Sequence, residues 1–287
     1  MILGSAKGGV TLPNKNNISV AFSTAAGNGS NFDLSSLSYS ENNFDVSNEE
    51  NTPLTVSIKP DGTKFYVAGE QNATIYQYSM DTPFDISSGN YDEKSFDVSD
   101  ETDEPAQIAF KSDGLKFAII GKDNATIYQY SMSGAWDIST ASYATKSFDV
   151  SDEENTAQGL AVSDDGTKFY VCGGQNDTIY QYSMDEWDFT TGEYAEKSLD
   201  VSDESTNPQD LRIQEDGLKI YILSVTPSDY VFQYNLGSAF DVSTGEYAEV
   251  SLNVGGQESA PLGLAISESD NKLYIVGAAN DTVYEYS

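Results

Sequence analysis

The sequence repeats itself at a fixed period. The stretch DGTKFYVAGEQNATIYQYSM at residues 61–80 returns with few changes at 113–132 and 165–184. Its aromatic pair recurs at a spacing of 52 residues, at Tyr76, Tyr128, Tyr180, Phe232 and Tyr284. Such a period is typical of proteins in which each repeat is one supersecondary unit that packs on its neighbours. The chain therefore contains five units.

Each unit contains four strand-like runs separated by turn signals. In the second unit these runs are AQIAF (106–110), KFAII (116–120), TIYQYSM (126–132) and YATKSFDV (143–150). Asp-Gly and Asn-containing turns join them, as expected for hairpins. Runs such as KFYVAG are apolar on both faces, which indicates sheets covered on both sides. We therefore predict an all-β fold, a five-bladed β-propeller of four-stranded antiparallel blades. A linear β-solenoid is the alternative, but its repeats are usually shorter.

The phase of the repeat predicts how the ring closes. The chain ends after the third strand of its last unit, in TVYEYS at 282–287, whereas residues 31–47 match a linker and a fourth strand. We expect residues 39–47 to pair with 282–286 and to complete the last blade, which removes two exposed sheet edges. The predicted propeller domain is thus 31–287.

Residues 1–30 are rich in Gly, Asn and Ser, and their first 26 or so have no counterpart in the repeat. Three interpretations stay open: a flexible terminus, an arm that docks the propeller onto a larger assembly, and a cleaved leader.

Composition narrows the classes of function. There are 46 acidic and 14 basic residues, a formal net charge of −32, and no histidine. Nucleic-acid binding requires clustered cations, so no nucleic-acid partner is expected. No apolar run approaches the roughly 20 residues of a membrane helix, so no membrane insertion is expected. The missing histidine removes the commonest general base, and we predict no catalytic residues and no enzyme activity. The single cysteine, Cys172, fits a small buried hydrophobic position.

The candidate ligand-binding residues lie mainly on one rim. In a propeller, the turns between second and third strands share a face with the connections between blades. That face receives amides and exposed carboxylates: Asn72, Asn124, Asn176, Asn280, Asp100, Asp152 and Asp203. They are interpreted as Asx turns facing water, as oxygen ligands for Ca²⁺ together with Asp97 and Asp103, or as a glycan site with avidity from repeated weak contacts. No metal ligand set is assigned and no other cofactor is predicted.

Two further candidates break the repeat. Arg212 is the only arginine and stands where the other units have Ser or Ala, while Asp210 stands beside it in place of Thr55, Gln107 and two glycines. The pair is either a local ion pair or a ligand clamp. Trp136 and Trp187 share their positions with three phenylalanines, which favours a repeated structural wedge over a sugar platform.

The combined pattern of DGTK-YV-G, N-T-YQYS, WDIST and SFDVS over residues 31–287 resembles β-propeller repeats of marine bacteriophage virion proteins and related bacterial surface proteins. The resemblance implies a tail, fibre or decoration protein on the virion surface that serves for display or attachment. Its partners would be other virion proteins, through residues 1–30, and a host-surface glycan; a homo-oligomer is left open. The alternatives are a glycosidase-like or lyase-like propeller acting on polysaccharide and a purely structural decoration protein.

Overall fold

The computed structural model describes residues 32–287, so the predicted arm at 1–30 lies outside the described residues. Within residues 32–287, twenty strands form five four-stranded antiparallel sheets, each a blade. The all-β five-bladed prediction is therefore confirmed.

The strands are numbered along the chain. The first is β1 (Tyr39–Asp45), and blade 1 consists of β2 (Pro53–Ile58), β3 (Lys64–Gly69), β4 (Thr74–Met80) and β5 (Gly89–Asp97). Blade 2 consists of β6 (Pro105–Phe110), β7 (Lys116–Gly121), β8 (Thr126–Met132) and β9 (Ala141–Asp149). Blade 3 consists of β10 (Ala157–Val162), β11 (Lys168–Gly173), β12 (Thr178–Asp185) and β13 (Asp188–Asp200). Blade 4 consists of β14 (Pro208–Ile213), β15 (Lys219–Ser224), β16 (Tyr230–Leu236) and β17 (Gly245–Asn253). Blade 5 combines β18 (Pro261–Ser267), β19 (Lys272–Gly277) and β20 (Thr282–Tyr286) with β1. The described residues also form four 3₁₀ helices: Leu34–Ser36, Ile86–Ser88, Ile138–Thr140 and Val242–Thr244.

The Asp-Gly turns hold the first hairpin of four blades. Gly62 has a φ of 69°, and a Cβ placed there would collide with the ring of Phe84, which covers the turn. Glycine is required at this position for two reasons: the positive φ and the close approach of the ring. The same arrangement joins Gly114 to Trp136, Gly166 to Trp187 and Gly217 to Phe240. Trp136 and Trp187 therefore occupy the same turn-covering position as Phe84 and Phe240.

The core lies between blades. Each of five buried apolar clusters takes its residues from two neighbouring blades. In blade 1, Phe65 stacks on Tyr78 with ring centroids 4.5 Å apart, and Phe44 of β1 meets both rings at 5.5 Å from the preceding blade. The aromatic ladder therefore fills the widening gaps between blades, as the sequence indicates.

At the interface between blades 2 and 3, the large and the small side chain have changed sides. A buried tyrosine occupies the third position of the second strand in four blades, but blade 2 has Ala118 there. Facing it across the interface, blade 3 has Phe189 where the other blades have Ile, Val or Leu. Ala118 and Phe189 belong to one buried cluster. The larger ring compensates for the missing one, which keeps the interface filled.

The glutamine of the YQY motif also joins neighbouring blades. Gln77 Oε1 accepts a hydrogen bond of 2.9 Å from the N–H of Ile138 in the next blade. Gln129 and Gln181 repeat the contact with Phe189 and Val242. In blade 5 the equivalent Glu285 accepts from Ile86 at 3.0 Å. These side chains are buried, and each satisfies a backbone donor that burial would otherwise leave without a partner.

The ring closes as predicted. Strand β1 pairs antiparallel with β20, with Tyr39 opposite Tyr286 and Asp45 opposite Thr282. Beyond the strands, the backbones of Ser38 and Ser287 exchange hydrogen bonds of 3.1 and 3.0 Å. The strand ends at Asp45 rather than at residue 47, because Val46 begins the connection to blade 1.

If the closing blade is as firmly joined as the others, Phe44→Ala and Phe96→Ala should destabilise the protein equally. Both rings are half-buried and lie against a stacked Phe–Tyr pair of the next blade. We expect each substitution to lower the free energy of unfolding by about 2 kcal/mol, measured by chemical denaturation. A much smaller loss for Phe44→Ala would mean that the ring is open at this blade in solution.

Candidate functional site

The propeller has two faces of different character. The acidic face is formed by the connections between blades (46–52, 98–104, 150–156, 201–207 and 254–260) and by the turns between second and third strands. The lysine face is formed by the Asp-Gly turns and by the lysines that begin each second strand: Lys64, Lys116, Lys168, Lys219 and Lys272. Among the described residues, Lys122 is the only cationic side chain in the connections and turns of the acidic face.

Most carboxylates of the acidic face have structural partners. Asp97 Oδ1 accepts the N–H of Ser99 at 2.8 Å, and hydrogen bonds from Ser99 lower the pKa of Asp97. Asp45, Asp149 and Asp200 make the same Asx turn. Four residues after Asp97, Glu101 Oε2 accepts a hydrogen bond of 3.0 Å from the buried Tyr130 hydroxyl. This contact recurs in three other blades, as Tyr78–Glu49, Tyr182–Glu153 and Tyr234–Glu204.

A third set of carboxylates is fully buried, which the sequence interpretation missed. Glu154 Oε1 accepts the N–H groups of Thr156 and Gln175 at 2.9 and 3.2 Å and so ties a connection to a turn. Glu50 and Glu258 do the same in blades 1 and 5, and burial raises their pKa. The sequence carries a signal for this: each strand facing such a glutamate ends in a glycine, where a Cβ would collide with the glutamate side chain.

The predicted rim residues differ in their surroundings. Asp100, Asp152 and Asp203 are exposed on the acidic face. The four asparagines brace the turns: Asn124, Asn176 and Asn280 each donate from Nδ2 to a carbonyl of the adjoining connection, at 3.1, 2.9 and 2.9 Å. Asn72 donates to the Tyr76 hydroxyl at 3.3 Å. These residues ring the face and do not converge on one point with Asp210 and Arg212.

Within residues 32–287, no group of three or more Asp, Glu, Cys or His side chains is placed to hold a metal ion. Calcium binding by Asp97, Asp100 and Asp103 stays a prediction. Cys172 is free and fully buried, and burial raises the pKa of its thiol. No helix in the described part of the chain is both long and apolar enough to cross a membrane.

Three side chains from different blades meet across the propeller axis, and we call Thr55, Gln107 and Asp210 the axial plug. Gln107 Nε2 donates to both carboxylate oxygens of Asp210 at 2.7 Å, and Thr55 donates to Gln107 Oε1. The remaining two blades contribute Gly159 and Gly263, where a Cβ would lie 3.0 Å from the Asp210 Cα and 2.7 Å from the Thr55 Cα. The two glycines make room for the plug.

Both carboxylate oxygens of Asp210 accept several hydrogen bonds. Its oxygens also accept the N–H groups of Leu211 and Leu264 at 2.7 Å and Nη1 of Arg212 at 2.8 Å. Burial raises the pKa of Asp210 to about 6, although Arg212 and the surrounding N–H groups act in the opposite direction. The sequence brought Asp210 and Arg212 together as a pair, but their place in a layer that involves all five blades required the structure.

A cavity lies on each side of the axial plug. On the acidic face a wide depression of about 780 Å³ is lined by amides and hydroxyls of blades 3 to 5, among them Gln158, Asn207 and Gln209. Lys122 of blade 2, Asp229 and a few apolar residues complete its lining. On the lysine face a cavity of about 220 Å³ is lined mainly by apolar residues, together with Arg212, Trp136 and Trp187. The plug thus divides the axis into two separate candidate sites.

No protein-family model and no curated protein matches this sequence. Solved structures with a similar fold include a functionally unknown protein from Desulfotomaculum acetoxidans, with 13% identity over 79% of this chain and 80% of that chain and a TM-score of 0.50. Another is a Bacteroides uniformis protein provisionally named a 6-phosphogluconolactonase, with 12% identity, coverage of 78% and 64%, and a TM-score of 0.49. A third is a chain of a mitotic checkpoint complex, with 14% identity, coverage of 80% and 60%, and a TM-score of 0.47. This chain spans less than two thirds of the length of the last two.

At such identities the likeness concerns the fold alone. The chain is a five-bladed β-propeller with two separate axial cavities, and its function has to be argued from its own residues.

The raised pKa of Asp210 should appear as a pH-dependent contribution to stability. Because the folded state holds the proton more tightly than the unfolded chain, this contribution falls as pH rises through about 6. Between pH 5 and 7.5 the stability of wild type relative to Asp210→Asn should fall by about 1.4 kcal/mol. Urea titrations of both proteins at each pH measure this, since carboxylates common to both cancel. A flat difference would mean that Arg212 and the plug keep Asp210 ionised throughout.

Proposed function

We propose that this protein is a non-catalytic attachment module of a virion, which displays a rigid propeller and binds a neutral host-surface glycan in the depression on the acidic face. Residues 1–30 join it to other virion proteins. The observation that carries the glycan part of the proposal is the group of amide side chains in that depression.

The amides offer unused hydrogen-bonding groups. Gln158 Nε2 donates to Asn207 Oδ1 at 3.0 Å, and Gln209 Nε2 donates to the Asn207 carbonyl at 3.4 Å. Among the described residues, Oε1 of both glutamines and Nδ2 of Asn207 have no hydrogen-bond partner. Planar amides present donors and acceptors side by side, which matches adjacent sugar hydroxyls. The depression is lined by one cation, Lys122, and one carboxylate, Asp229, so its charges balance and the proposed ligand is neutral.

The non-catalytic part rests on what the carboxylates already do. Glycoside hydrolysis needs two carboxyl groups facing a cleft at a fixed separation. Asp210, the best candidate by its raised pKa, is buried and accepts hydrogen bonds from four residues. The glutamates of the acidic-face connections that have described partners accept from tyrosine hydroxyls or from backbone N–H groups, except Glu104, which pairs with Lys122. A polysaccharide-active enzyme is therefore the second candidate, and a decoration protein without a ligand is the third.

The virion part rests on the resemblance of the repeats and on the non-repeating segment at residues 1–30. The closed ring supports it physically, because a propeller whose two ends share a blade resists unravelling from either end.

The glycan proposal predicts that Gln158→Leu together with Gln209→Leu weakens binding by ~10-fold or more, since each substitution removes a hydrogen-bonding side chain. Leucine occupies the equivalent place in blades 1 and 5, at Leu54 and Leu262, so the fold accepts it. A glycan array identifies the ligand, and calorimetry compares the variants.

Asp100→Asn, on the same face but outside the depression, is the matched control and should bind like wild type. Release of reducing sugar by the pure protein would favour the enzyme instead. Absence of binding to any glycan, with no turnover, would favour the structural decoration protein.

The anchor proposal predicts that deletion of residues 1–30 leaves a folded propeller with the thermal unfolding midpoint of the full chain, because the described ring closes without them. The truncated protein should no longer be incorporated into particles, as judged by immunoblotting of purified virions. Normal incorporation would contradict the anchor role but not the glycan site.

A further inference from the structure

The cavity on the lysine face is chemically unlike the depression on the acidic face. At the axis it is lined by small residues from three blades, Ser57, Ala109 and Ala161, whereas the fourth blade contributes Arg212. The three small side chains leave the space, and the arginine places one cation beside it. From this geometry we propose a second binding site, for a carboxylate carried on a six-membered ring.

Arg212 has hydrogen-bond donors that Asp210 does not use. Its Nη1 donates to Asp210 Oδ1 and to the Leu211 carbonyl, both at 2.8 Å. Its Nε and Nη2 groups have no hydrogen-bond partner among the described residues, and the side chain is 19% exposed. These two groups form the edge of the guanidinium that binds a carboxylate with two parallel hydrogen bonds.

Asp210 does not prevent Arg212 from binding a second carboxylate. Its charge is shared among Gln107 and the N–H groups of Leu211 and Leu264, in addition to Arg212. Arg212 therefore need not serve Asp210 alone. The carboxylate that lines the cavity, Asp164, is exposed, so solvent screens it.

The size and walls of the cavity define the rest of the ligand. A volume of about 220 Å³ is only somewhat larger than the 150 Å³ or so of an engineered cavity that binds benzene. Ile108, Leu160 and Val162 line it with apolar surface, and Trp136 and Trp187 add aromatic surface suited to the flat or apolar face of a ring. One ring with its carboxylate fits, and a longer chain would have to leave through the open side.

Two kinds of molecule carry a carboxylate on a six-membered ring: a free cyclic carboxylic acid and a uronic acid residue of a polysaccharide. The site lies across the axial plug from the proposed glycan site and does not depend on it.

The experiment uses the two tryptophans, which are the only ones in the chain and both line the cavity. Benzoate, cyclohexanecarboxylate, glucuronate and galacturonate are titrated against the full-length protein, with tryptophan fluorescence and calorimetry as readouts. Benzamide and glucose are the neutral comparisons. We expect at least one carboxylate to bind saturably with a Kd of about 1 mM or tighter, and its neutral analogue to bind ~10-fold more weakly or not at all.

Two variants test the geometry. Ala109→Leu fills the cavity without changing charge and should abolish binding, and Arg212→Lys keeps the charge but loses the fork and should weaken binding ~10-fold. Lys111→Gln removes a lysine of the same face outside the cavity and should leave binding unchanged, which separates the site from general attraction to cations.

Binding of only the two sugar acids would identify a polysaccharide residue as the source, and binding of only the other two acids a free cyclic acid. The proposal is overturned if no carboxylate gives a saturable change at ten times the expected Kd. It is equally overturned if neutral analogues bind as well as the acids, or if Ala109→Leu has no effect while circular dichroism shows it folded.

Discussion

Five inner strands meet at one axis, and five identical side chains cannot all occupy it. Large ones would collide, and charged ones would repel each other in a poorly solvated space. The protein meets this constraint because the equivalent position differs between blades. Two blades have glycine there, and the other three supply the side chains of the axial plug, which crosses the axis. The plug closes the central channel and leaves a separate cavity on each face. Both proposed binding sites follow from this break in symmetry.

The same logic explains the acidic face. In a chain with a formal net charge of −32, it is natural to regard the carboxylates as solvating groups or cation ligands. In four of the five connections, however, an aspartate forms an Asx turn and a glutamate accepts a hydrogen bond from a buried tyrosine. In three connections a further glutamate lies buried beneath a turn. The negative charge is thus partly used inside the fold, whereas carboxylates such as those of Asp100, Asp152 and Asp203 face water.

Two departures from the repeat occur as matched pairs of residues. Ala118 is compensated by Phe189 across a blade interface. In blade 4, Ser205 replaces the buried glutamate and Ser224 replaces the glycine that faces it, and their hydroxyls bond at 2.8 Å. A sequence shows each substitution singly, because the partners are far apart along the chain. The pairing becomes visible only when the blades are placed side by side.

The sequence by itself determined the fold, the number of blades and the closing strand, because periodicity, turn residues and repeat phase are local or strictly spaced signals. It also singled out Asp210 and Arg212 as exceptions, and it explained Asp97 and its equivalents through turn chemistry. The tertiary structure alone decided what lies at the axis, which carboxylates are buried, and that the only arginine and both tryptophans line one cavity. Those facts depend on contacts between non-neighbouring blades, and residues 50 to 150 positions apart carry no mark of their proximity until the ring is closed.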